Sequence, residues 1–279
     1  MTEKVKSYQA AARRLMEALH VTHPPMAIKL AKDESEIPEN AIRPLRDLGL
    51  HYAECQCLAM SRKDKKTYAL TLEDHWCWFP LICYGFVDVR KGNQDYEIVM
   101  KNLGIPDRQK AEEFFERFPK LPHKSVCAYV VAPMTEADFE PDLILVYADH
   151  PQMLREMLGA VKYITGDVMH TDLDYVDSCG WDIAPSYVTR QFRVTIPDPG
   201  EHERAEIGNS EMILTVPEEK FVEFCDVAAM KRKNLNGRPG LNCGLVGDFP
   251  RPEFIANLYK EWGLQSEGPI SWTEAHRGY

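Results

Sequence analysis

Pro24-Pro25-Met26-Ala27-Ile28-Lys29-Leu30-Ala31-Lys32-Asp33 is the stretch on which the fold turns. The proline pair ends the helical stripe before it (Ala11, Leu15, Met16 and Leu19), and Met26 to Ala31 then reads as a strand. Its hydrophobic pattern returns at Glu140-Pro141-Asp142-Leu143-Ile144-Leu145-Val146-Tyr147-Ala148-Asp149, a short apolar run that suits a buried strand. Downstream, Tyr68 to Asp74 parallels Phe192 to Asp198, and between the two blocks each half sets a cysteine near a helix start, Cys57 and Cys179. Order and spacing together point to a duplicated unit forming one pseudo-symmetric body, against chance similarity of two strand-rich segments. Duplication would make Cys57 and Cys179 equivalent, facing each other across a central cleft.

Outward from these strands, helices are expected at Tyr8 to Val21, from Cys55, at Arg108 to Phe118, at Pro151 to Tyr163 and at Pro217 to Met230. Further strands are expected at Val126 to Val131, Gln191 to Ile196 and Glu211 to Val216. Helices and strands interleave without a strict βαβ beat, which favours a mixed α/β (α+β) sandwich over a Rossmann sheet. The expected body has mixed sheets flanked by helices, with a first half at 1–122 and a second at 123–279.

The chain has 279 residues and a net charge of 33 − 43 = −10. That acidic surface argues against nucleic acid and anionic lipid as partners. The N-terminus lacks an apolar signal core, and the most apolar stretch, Cys77 to Val87, is broken by Pro80 and Gly85. A cytoplasmic protein without a membrane span is expected. In that reducing compartment the eight cysteines are read as buried thiols, metal or cluster ligands, or reactive groups.

Chemistry concentrates in Glu54-Cys55-Gln56-Cys57 and Asp74-His75-Trp76-Cys77-Trp78-Phe79-Pro80-Leu81-Ile82-Cys83. Thiolates suit zinc and iron–sulfur clusters, but no Cys-x-x-Cys pair is present. On a helix, side chains two apart diverge by about 200°, so only one of Cys55 and Cys57 points inward. The sharper reading is a centre gathered from Cys57, Cys77 and Cys179, with Cys55 or Cys83 as a fourth ligand. Trp76, Trp78 and Phe79 would shield it from water. An iron–sulfur cluster (4Fe-4S) is the expected cofactor, with zinc as the alternative, against a purely structural set of thiols. Asp74 and His75 are the candidate acid and base. The acidic run Asp167, His170, Asp172, Asp174, Asp177 and Asp182 is expected to be a solvated loop. The glycine-rich segment Asn234 to Gly244, with Cys243, either closes over the site or caps a helix.

Pro24 to Leu30, Cys57-Leu58-Ala59-Met60-Ser61-Arg62, Glu73-Asp74 with Cys77 and Gly85, Pro141 to Val146, and Val194 to Pro197 after Cys179 follow one another in an order that resembles the archaeal-conserved-region family of unknown function. The resemblance implies a cytoplasmic protein of anaerobic metabolism, with Cys57, Cys77 and Cys179 at cysteine positions of the pattern. Pro197-Asp198-Pro199-Gly200 departs from members that carry a cysteine nearby. The expected function is an enzyme performing reduction or lyase chemistry on a small organic substrate, served by an electron-transfer protein and compatible with a homo-oligomer. The alternative is a small-molecule or metal-binding module without turnover.

Overall fold

Thr2 opens the first helix, α1 (Glu3–Leu19), by accepting a 3.3 Å hydrogen bond from Val5 N. This cap sets the start well ahead of Tyr8. The structure is a computed structural model that describes residues 1–230 and 253–263. After α1 come β1 (Met26–Ala31), α2 (Glu54–Asp64), β2 (Tyr68–Thr71), α3 (Trp78–Cys83), α4 (Gln94–Asn102), α5 (Arg108–Arg117) and β3 (Ala128–Pro133). There follow β4 (Leu143–Ala148), α6 (Pro151–Thr165), α7 (Ser178–Thr189), β5 (Arg193–Thr195), α8 (Pro199–Arg204), β6 (Met212–Pro217) and α9 (Glu218–Ala229). Met1–Met230 forms one compact unit; a second, Lys231–Tyr279, contributes α10 (Glu253–Glu261). The glycine-rich segment with Cys243 lies outside the described residues.

The six strands form one sheet in the order β2-β3-β1-β4-β6-β5. Every pairing is antiparallel, so the mixed sheets expected from the sequence resolve into one antiparallel sheet between two helical layers. Alternate strand residues divide between two cores. Ala27, Val130, Ile144 and Leu214 pack with Leu15 of α1, Met157 of α6 and Phe221 and Phe224 of α9. Met26, Ile28, Tyr129, Tyr147 and Ile213 pack on the other side with Cys57 and Leu58 of α2, Cys83 of α3 and Ile183 and Ala184 of α7.

The strand order reads the same from both edges once β1, β2 and β3 are matched to β4, β5 and β6, and the registers agree. Met26 pairs with Pro133 as Leu143 pairs with Pro217, and Ala69 pairs with Val130 as Val194 pairs with Leu214. Just beyond the ladders, Met134 N donates to Pro25 O at 2.7 Å and Glu218 N to Asp142 O at 3.2 Å. The duplication is thus visible in the backbone, with its pseudo-two-fold axis at the mutually paired, equivalent residues Ala27 and Ile144. The alignment read from sequence slips by one residue. It matched Tyr68 to Phe192, yet these face opposite cores, and a one-residue slip in a strand reverses every side chain.

Gly85, at φ +73°, ends α3 where a β-carbon would stand 2.4 Å from Pro122 O. Only glycine lets the 121–124 segment close on α3, through Leu121 N to Cys83 O at 2.7 Å and Lys124 N to Gly85 O at 2.8 Å. That strap fixes Cys83 beneath α7.

Candidate functional site

Helices α2 and α7 are the pseudo-symmetric pair that covers one face of the sheet. Each ends in a left-handed residue, Lys65 and Arg190, both at φ 55°, bonded to Ser61 O at 3.0 Å and Ser186 O at 2.9 Å. Aligning the helices on these caps makes Cys57 equivalent to Asp182, and Glu54 equivalent to Cys179. The expected equivalence of Cys57 and Cys179 is therefore corrected. Each helix instead carries one carboxyl and one thiol three residues apart, on one face and in reversed order.

Glu54 and Asp182 are 3% and 2% exposed. Asp182 is thus not part of a solvated loop; Asp167, His170 and Asp172 are exposed, whereas the helix turns Asp182 onto the sheet. Burial pushes both carboxyls well above the usual carboxylate range, and Glu201 and Asp198 add to the effect. Burial thus favours the neutral, protonated form of both acids. Tyr84 Oη lies 2.8 Å from Glu54 Oε1 and 2.9 Å from the Cys179 carbonyl. One phenolic proton cannot serve both acceptors fully; a protonated Glu54 can supply the second. The Tyr84 ring stacks on Tyr129 at 6.1 Å.

Glu54 Oε2, Asp182 Oδ1, Ser186 Oγ and the hydroxyls of Tyr129, Tyr147, Thr195 and Thr215 are all buried without a hydrogen-bond partner among the described residues. All belong to the α2–α7 side of the sheet. Buried polar groups are nearly always satisfied, so such a concentration marks a place built for water or a ligand. Tyr129→Phe removes one of these hydroxyls. Urea denaturation should show a change within about 0.5 kcal/mol, or a gain. A loss above about 1 kcal/mol would mean that the hydroxyl is bonded within the protein itself.

The thiols divide. Cys77, Cys83 and Cys179 lie close enough for their charges to interact, and Glu54 acts on all three. Gly180 permits the approach of α7, since a β-carbon there would meet Cys83 Sγ at 2.6 Å. Cys57 is fully buried against the sheet, with Glu54, Asp74 and Cys55 as its titratable neighbours. Cys55 turns away towards α8, where its Sγ is 3.9 Å from Gly200 O and burial pushes its thiol up to about 12. Burial likewise raises Cys77, Cys83 and Cys179, so as free thiols they stay protonated. No group of three or more His, Cys, Asp or Glu among the described residues is placed to hold a metal ion. The expected aromatic shield is only partial: Phe79 is buried, while Trp76 is 71% and Trp78 41% exposed.

The proposed acid and base sit elsewhere. Asp74 receives Thr71 N at 2.9 Å, Thr71 Oγ1 at 2.7 Å, Leu45 N at 2.8 Å and Arg43 Nε at 3.2 Å. Those donors, opposing the effect of burial, hold it below the usual range and spend its lone pairs on the turn after β2. His75 packs against Phe86 at 5.3 Å with both ring nitrogens buried and unpartnered, and burial lowers its pKa to about 4. Neither residue adjoins the Glu54–Tyr84–Cys179 contacts. Glu54 and Asp182 carried no distinguishing signal in the sequence, because a carboxyl's burial is set by helix phase rather than by its neighbours in the chain.

Among the described residues, no helix is long and apolar enough to cross a membrane. The family model described as uncharacterised ArCR matches residues 14–226, and the chain belongs to that family. An uncharacterised protein of Methanocaldococcus jannaschii is 26% identical over 224 residues, covering 80% of this chain and 94% of that protein. No solved structure matches.

Proposed function

We propose that this member of the ArCR family is a cytoplasmic enzyme that performs proton-transfer chemistry of the lyase kind on a small organic substrate. Glu54 is the proton carrier, Tyr84 fixes its orientation, and Asp182 is a second buried acid on the opposite helix. The observation that carries this reading is the pair of buried carboxyls, each pushed upward by burial and each with one unpartnered oxygen on the same buried polar face. A carboxyl whose pKa is raised by burial can donate a proton at neutral pH and recover it, which is the requirement for a general acid. The acidic chain disfavours nucleic acid as the substrate.

A second reading keeps the redox chemistry suggested by the cysteines. Cys77, Cys83 and Cys179 share one electrostatic neighbourhood, and three soft donors suit an iron–sulfur cluster or zinc. Such a group would supply electron transfer or Lewis acidity, and an electron-transfer protein would then be a partner. Ligation would require the thiols to close together further, so the acid–base reading takes precedence.

One experiment separates them. Protein purified without oxygen is analysed for iron, zinc and labile sulfide, then incubated with a small-metabolite extract that is followed by mass spectrometry. Conversion of a metabolite by metal-free protein is the expected result. Stoichiometric iron and sulfide would favour the second reading. Binding without conversion would reduce the protein to a non-catalytic module and sink both.

A further inference from the structure

We infer that the cleft between α2 and α8 is a binding site for a small organic carboxylate, held by Arg62, Lys63 and Arg204 against an apolar wall. The inference stands apart from the chemistry proposed for Glu54, because binding here requires no turnover.

The cleft encloses about 590 Å³, room for a molecule of one ring and a carboxyl group. Its apolar wall is Tyr52, Ala59, Met60 and Ala205. Its charged lining is three cations against the single acid Glu206, in a chain whose net charge is −10. Locally positive lining on an acidic protein selects an anion by attraction at the cleft and repulsion elsewhere.

Arg62 shows how the site is built. Its side chain is 8% exposed, with Nη2 2.9 Å from Glu211 Oε1 and the guanidinium 4.4 Å from the centre of the Tyr147 ring. Glu211 is itself fixed, its other oxygen accepting from Gly208 N at 2.6 Å. Two partners thus hold the fork rigid while Nη1 remains buried without one. A pre-oriented guanidinium with a donor to spare gains a hydrogen bond at little entropic cost. Lys63 and Arg204 stand at the exposed lip, and neither forms an ion pair within the described residues. His23 lies beside Arg62, and burial together with that positive charge lowers its pKa, leaving a neutral ring to meet a hydroxyl or carbonyl of the ligand.

Carboxylate fits better than phosphate. A phosphate site gathers several backbone N–H groups at a helix start or glycine-rich turn. Here the donors are side chains, and the remaining wall is apolar, which suits a planar anion with a hydrocarbon body.

Calorimetric titration of the full chain with benzoate, benzamide and inorganic phosphate tests this. Benzoate should bind saturably, with benzamide and phosphate about tenfold weaker or worse. The Lys63→Gln/Arg204→Gln variant changes only exposed side chains, so its fold, checked by circular dichroism, should be retained. It should bind benzoate at least about tenfold more weakly. No saturable benzoate binding, equal binding of benzamide, tighter binding of phosphate, or unchanged affinity in the folded variant would each overturn the proposal. None of these results touches the metabolite-conversion assay, so the two readings fail separately.

Discussion

Glu54→Gln is expected to slow substrate conversion by about 10²- to 10⁴-fold while leaving the protein folded. Glutamine has the size of a protonated glutamic acid and carries no charge, so the buried position tolerates it. Its amide oxygen still accepts from Tyr84, whose hydroxyl lies 2.8 Å from Glu54 Oε1 in the native protein. What it cannot do is release a proton and take it back. The variant should therefore match or exceed the native protein in denaturation at neutral pH, because the option of exposing a buried carboxylate charge has been removed. Asp182→Asn provides the comparison on the opposite helix and is expected to slow conversion by a smaller factor, since among the described residues no side-chain hydrogen bond ties Asp182 to Tyr84. A Glu54→Gln protein that is folded and converts substrate at the native rate would end the assignment. A structural role would show the opposite pattern, with lost stability and an unchanged rate per folded molecule.

How much of this was legible in the chain depends on which residues one asks about. The strands at Met26–Ala31 and Leu143–Ala148 were readable because prolines and loop residues bound short apolar runs. Their duplication was readable too, but not its phase. Both strands are buried on both faces, so neither alternates, and a one-residue slip leaves the pattern unchanged while reversing the faces. The helices slip further, by three residues, which set Cys57 against Cys179 instead of Asp182. The left-handed caps at Lys65 and Arg190 settle the matter, yet both are long cations where glycine is usual, so nothing in their identity announces them. The separation of Cys55 from Cys57 was readable from helix geometry alone. Glu54, the residue beside the cysteines, is the least legible of all. A glutamate at a helix start is ordinarily a solvated charge favoured by the macrodipole, and only the packing of Tyr84 over it shows otherwise.

The buried acids also set an unusual pH dependence, because Glu201 and Asp177 reach about 7 in the fold, mainly through burial and then, for Asp177, the charge of Asp198. Their ordinary values are 4.5 and 3.8. Between those values and about 7 the unfolded chain has lost both protons while the folded protein keeps them. The folded state then binds more protons, so unfolding free energy falls as pH rises through that window. Glu201 alone accounts for a loss on the order of 3 kcal/mol. Asp74 works in the other direction: its lowered pKa contributes stability above its ordinary value of 3.8, lost on further acidification. Between these opposing effects the protein should be most stable near about pH 4 and lose stability steadily towards about pH 7.5. Glu54 and Asp182, also raised by burial, act in the same direction. Glu201→Gln should flatten the profile, since the amide oxygen still accepts from Ser178 Oγ and Asp198 N but no longer titrates. Thermal unfolding followed across this range decides the matter. A midpoint that holds constant or rises from about pH 5 to about 7.5, or a Glu201→Gln profile as steep as the native one, would show that these carboxyls ionise freely in the fold. The proposed chemistry, which depends on carboxyls raised by the same burial, would fall with them.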